Sequence, residues 1–132
     1  MLATTPASQF RFGYFTTRYD ETVAFYRDDL QLGVLESWDR DAEDRGTLFT
    51  AGAGTIEVLF RPSGPASSHL WDDRAPQGAF MSIETADVDR VYELAVARRL
   101  PIQQALTTQP WGHRSFCFQE PNGLTLYVFS QG

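Results

Sequence analysis

Hydrophobic and polar positions alternate in short runs along this chain, and the runs follow an order that occurs twice. Phe10, Phe12 and Tyr14 alternate with Arg11, Gly13 and Phe15, a period of two that predicts a strand with two different faces. Asp20 is a good N-cap, and Val23, Tyr26 and Leu30 then fall at helical spacing, so a helix is predicted from Asp20 to about Leu30. Leu32 to Trp38 reads as the next strand. The seven residues from Arg40 to Gly46 carry five charges and read as a solvated turn. Thr47–Thr50 and Thr55–Arg61, joined by Ala51-Gly52-Ala53-Gly54, form a hairpin pattern.

The second half repeats that order. Phe80–Thr85 reads as a strand, Asp87 as the cap of a helix reaching about Arg99, and Ile102–Leu106 as a strand. Ser115–Gln119 and Leu124–Phe129 close the unit around the turn Glu120-Pro121-Asn122-Gly123. Val23 matches Val91, Leu32 matches Leu100 and Val34 matches Ile102 at one constant offset, which indicates an internal repeat. The predicted class is α+β: one domain over 1–132, with βαβββ modules at 9–62 and 78–131 and a linker at 63–77 rich in Pro, Gly and Ser. Two such modules imply a cupped, partly open mixed sheet with helices on its outer face and side chains of the other face lining a cleft.

Composition narrows the partners. At 132 residues and 42% apolar content, the chain can bury a core. Ten Phe, five Tyr and three Trp are many for this length, and some are expected to line a cavity instead of the core. The net charge of −6 argues against nucleic acid, because neutralising phosphates needs clustered cations. All eleven basic residues are Arg. Cys117 is the one cysteine, so no disulfide forms within the chain, and in a Phe-rich strand it reads as a small buried hydrophobe. Met1 to Ser8 has neither a basic start nor an apolar run, and no segment reaches about 20 apolar residues. No membrane partner and a cytoplasmic location are the expectation.

Several of these segments resemble the vicinal oxygen chelate superfamily, which includes glyoxalase I, extradiol dioxygenases and bleomycin resistance proteins. The carriers are Phe25-Tyr26 followed by Leu30-x-Leu32-Gly33, then Pro110-Trp111-Gly112-x-Arg114-x-Phe116 and Glu120-Pro121-Asn122-Gly123. The closing run is most similar to the bleomycin resistance branch. The resemblance implies a homodimer. In the enzymes of the superfamily it also implies a divalent metal held from four strand positions, which fall here on Arg11, Glu57, Ala79 and Tyr127. Of these only Glu57 is a plausible ligand: Arg11 keeps its proton, Ala79 has no donor atom, and a neutral tyrosine is a poor one. The histidines, His69 and His113, lie elsewhere. No metal and no cofactor are therefore expected.

The expected ligand is a planar small molecule, with cationic ones among the candidates, held by Arg11, Trp38, Phe49, Glu57, Trp111, His113 and Tyr127. Aromatic faces at the rim would stack on it, and Arg11 and Glu57 would pair with each other or meet its polar groups. Phe15, Met81 and Phe129 are further candidates for the floor. The alternative is a metal-independent enzyme such as a cyclase, isomerase, lyase or hydrolase, with Glu57, His113 or Tyr127 in catalysis. A metalloenzyme using Glu57 and His113 is the third reading.

Overall fold

The computed structural model of the chain describes residues 2–41, 44–60 and 78–131. The expected linker at 63–77, with His69 and Trp71, lies outside the described residues. The elements run β1 (Arg11–Thr16), α1 (Tyr19–Ala24, continued by a π-helical turn at Phe25–Asp29), β2 (Val34–Asp41), β3 (Asp44–Ala51) and β4 (Gly54–Phe60). They continue with β5 (Phe80–Glu84), α2 (Val88–Ala97), β6 (Ile102–Thr108), β7 (Arg114–Gln119) and β8 (Thr125–Ser130). Each module makes its own four-stranded sheet, in the orders β1-β4-β3-β2 and β5-β8-β7-β6. In each, the first strand runs parallel to the last and the remaining pairs are antiparallel. Among the described residues the two sheets are not joined into a closed barrel.

One face of each sheet carries the core. Ile56, Val58, Phe49 and Tyr14 from the first sheet and Met81, Phe116, Phe118, Leu126 and Val128 from the second belong to a single buried cluster. Phe25 joins the halves: its ring lies 5.1 Å from that of Tyr26 and 6.0 Å from that of Phe118, while Tyr26 lies 5.4 Å from Phe49. Adjacent residues on a regular helix point about 100° apart. The π-helical turn, closed by Leu30 N–H donating to Phe25 O, accompanies the burial of both Phe25 and Tyr26. With the helix-bearing faces turned into this shared core, the opposite face of each sheet is left open.

Two local expectations change. Helix α1 starts after Arg18 and not at Asp20, and Thr16 Oγ1 accepts from Arg18 N in the preceding turn. Asp20 instead sits in the first turn and meets Arg45 at 3.1 Å. The charged stretch after Trp38 is also more regular than a turn: β2 runs through Asp41 and β3 begins at Asp44. β2 is an edge strand with mostly exposed residues, so charges fit it without cost to the core. Asp87 caps α2 as expected, accepting from Arg90 N at 3.2 Å.

A buried polar knot locks the modules together. Glu120, only 2% exposed, accepts from Tyr14 OH at 2.9 Å, Leu124 N at 3.0 Å, Asn122 Nδ2 at 2.9 Å and Asn122 N. Tyr14 is 2.9 Å from Tyr26 OH, and with its own proton on Glu120 it accepts from Tyr26. Asn122 reaches Thr16 at 2.6 Å and Thr22 at 3.1 Å. The Glu-Pro-Asn-Gly turn is therefore the clamp between β7–β8 and β1–α1, and Gly123, at φ 88°, supplies the backbone shape it needs.

Burial, then the neighbouring Tyr26 and Glu120, push the Tyr14 phenol well above its ordinary value of 10.0, and burial raises Tyr26 likewise. The fold favours both neutral phenols. Their stabilisation is complete below 10.0 and is lost as pH rises above it toward the raised folded values. In an absorbance titration, part of the phenolate signal should appear only as tertiary structure is lost, and a Tyr14→Phe, Tyr26→Phe variant should lack that part. Full ionisation with the fold intact would contradict the buried network.

Candidate functional site

Strand register sorts the side chains of the open faces into two rows. In the first sheet, Gly13 pairs with Glu57, Glu57 with Leu48 and Leu48 with Glu36. In the second, Ser82 pairs with Tyr127, Tyr127 with Cys117 and Cys117 with Gln104. Glu57 and Tyr127 thus hold equivalent places in the two modules, and each open face carries its own candidate half-site.

The open face of the first sheet carries an ion pair on β1 and β4 and a tryptophan on β2. Arg11 Nη1 lies 3.0 Å from Glu57 Oε2, and Arg11 Nε donates to Gln9 Oε1 at 2.7 Å. Gly13 makes room for this. A Cβ there would stand 3.2 Å from Glu57 Oε1, so a side chain would crowd the carboxylate. The pair is part-exposed and contributes at most about 1 kcal/mol to stability. Its consequence is orientation, since one oxygen of Glu57 and the remaining N–H groups of Arg11 stay available on the open face. Trp38 lies flat across β3, covering Gly46 so closely that any side chain at 46 would collide with its ring. Arg40 stands 5.7 Å from the centre of that ring.

The second half-site is a hollow of about 420 Å³ on the open face of the second sheet. Its aromatic wall is Phe80, Trp111 and Phe129. Trp111 projects from the Gln109–Gly112 turn, which is closed by Gly112 N–H donating to Gln109 O at 3.0 Å and has Gly112 at φ 101°. Trp111 is 69% exposed and Phe80 60%, and both line the hollow without being covered by it. His113 stacks on Phe129, with ring centres 4.7 Å apart and planes at 16°. The floor is polar: Gln109 Nε2 donates to Ser115 Oγ at 3.0 Å, and Ser82, Gln104 and Tyr127 complete it. The Cys117 sulfur and partial burial raise the Tyr127 phenol above its ordinary range, and burial pushes the Cys117 thiol up. That matches a thiol packed beneath the floor, not a nucleophile.

Six of the seven expected ligand residues therefore lie on the open faces, split into Arg11, Trp38 and Glu57 on one sheet and Trp111, His113 and Tyr127 on the other. Among the described residues no hydrogen bond or ion pair joins the two sets. Phe49 is the correction. It pairs with Ile56, next to the Leu48–Glu57 pair, so it points to the opposite face, where it is fully buried against Tyr26. Met81 likewise belongs to the core, while Phe129 does reach the hollow. Gln104, Gln109, Ser82 and Phe80 went unseen in the sequence. Arg114 of the closing motif has a structural task, gripping Asp89 of α2 at 2.9 Å and holding its carboxyl below the usual range.

The donor set does not suit the metal that the enzymes of this fold hold. Glu57 is engaged by a guanidinium, Ala79 offers no donor, and the Tyr127 phenol is held neutral beside Cys117. Among the described residues no three His, Cys, Asp or Glu side chains converge.

The profile of the Glyoxalase/Bleomycin resistance protein/Dioxygenase superfamily matches residues 8–128, and the chain belongs to this superfamily. Comparison with curated proteins finds no match. Among solved structures, TioX from Micromonospora sp. ML1 superposes with a TM-score of 0.72 at 18% identity, covering 96% of this chain and 100% of its own. A protein of unknown function from Agrobacterium tumefaciens str. C58 gives a TM-score of 0.70 at 24% identity, covering 94% of each chain. Lactoylglutathione lyase from Agrobacterium tumefaciens gives 0.66 at 18% identity, covering 96% of each. These likenesses establish the shared fold. Among the described residues no helix is long and apolar enough to cross a membrane.

Proposed function

We propose that the protein binds a planar small molecule without a metal and without turnover, sequestering a natural product in self-protection or serving its biosynthesis. The observation that carries this reading is the hollow beside Trp111, whose exposed aromatic wall and polar floor have the volume and lining typical of ligand sites. Binding needs shape and surface, both of which are present. Metal-assisted chemistry needs three or four converging donors, and of the four strand positions only Glu57, already paired with Arg11, offers a good one.

The complete site is built by two copies. Each open face holds three of the expected residues, and among the described residues β1 and β5 each have one edge without a partner strand. Phe10 and Phe80, 70% and 60% exposed, lie along those edges. A second copy setting its β5 beside β1 would bring an aromatic half-site opposite an Arg11–Glu57 half-site, giving two equivalent clefts per dimer.

Glu57→Gln separates binding from catalysis. The account expects both wild type and variant to return a bound compound chemically unchanged, as judged by mass spectrometry of the released ligand. A product formed by the wild type and lost in the variant would make Glu57 an acid–base group and overturn the binding reading.

A further inference from the structure

The aromatic half-site has a further property: its floor is neutral and partly unpartnered. No carboxylate and no arginine is among the described residues lining the hollow. Gln104 and Ser82 line it with side-chain polar groups that make no hydrogen bond among the described residues. The register of β6, β7, β8 and β5 puts both in one row, on either side of the Cys117–Tyr127 pair. That row lies beside the aromatic wall of Phe80, Trp111 and Phe129.

We infer that this half-site selects an uncharged flat ring whose edge carries an adjacent donor and acceptor, as in a lactam, an imide or a hydroxylated ring ketone, and that Gln104 is the residue that reads that edge. The inference rests on the small-molecule-binding reading above. A glutamine amide offers both a donor and an acceptor, which complements such an edge in one plane. A ring without that edge would leave the amide covered and unpaired, and a site built to hydrogen-bond its ligand discriminates strongly against such analogues. A cationic ring would enter a hollow with no counter-charge to replace its lost water, and stacking on Trp111 returns only part of that loss.

Three ring-matched probes test this on the intact protein: carbostyril, with its lactam edge; N-methylquinolinium, cationic and without a donor; and naphthalene, without a polar edge. Ligand-observed NMR titration should rank carbostyril first by about tenfold. Gln104→Leu should erase that preference while leaving naphthalene binding unchanged. Gln104 is exposed on an edge strand, so the variant keeps its core. Equal binding of all three, tighter binding of N-methylquinolinium, or a lactam preference that survives Gln104→Leu would each overturn the inference while leaving the binding reading standing. Failure of all three probes to bind the hollow would overturn both.

Discussion

Glu120→Ala should be the most damaging single substitution in this protein, lowering the free energy of unfolding by about 3–5 kcal/mol. The side chain is 2% exposed and accepts from four donors, three of them N–H groups of its own turn and one the Tyr14 phenol of the other module. Truncation strands those donors where water cannot easily reach them. It also frees Asn122, whose bonds to Thr16 and Thr22 hold the turn on β1 and α1. Tyr14→Phe removes two bonds of the same knot, the one donated to Glu120 and the one accepted from Tyr26, and should cost about 1–3 kcal/mol. Because the two groups touch, the double variant should lose less than the sum. Denaturant unfolding measures all three, and a Glu120→Ala loss below about 1 kcal/mol would show that the turn is not the clamp.

Trp111→Ala should carry the largest effect on binding, weakening a planar ligand such as carbostyril by about 1 kcal/mol or more, a factor of roughly five or above. The ring is 69% exposed and projects from a turn whose shape is fixed by Gly112 and by backbone hydrogen bonds, so its loss leaves folding intact. A rigid exposed aromatic beside a polar floor loses little conformational entropy on binding. Unchanged affinity, with an unchanged unfolding midpoint, would remove stacking from the account.

Much of this was legible in the sequence because alternation and capping are local. Asp87 announced α2, and the run from Phe10 to Phe15 announced β1 with Arg11 on its own face. The family resemblance put Arg11 and Glu57 on cleft-facing positions and left their partners open, and the register of β1 against β4 brings them together. Phe49 was misplaced because facing depends on the register across the Ala51–Gly54 turn, and an aromatic suits either face. The start of α1 departs from the sequence signal at Asp20 because Thr16 and Arg18 set that turn through a short contact between a side chain and the backbone. Gln104 gave no signal: a glutamine on an edge strand looks like any solvated residue, and irregular pairing on both sides of it breaks the alternation. The separation of the candidate site residues onto two open faces depends on how the modules pack, which rests on long-range contacts such as Tyr14 with Glu120 and Phe25 with Phe118.

Native mass spectrometry of the protein as purified, and then with carbostyril added, tests the central claim most directly. The account predicts a dimer without bound metal that takes up two molecules of unaltered mass, one per cleft. A dimer retaining stoichiometric metal, or one that releases a chemically changed compound, would contradict it.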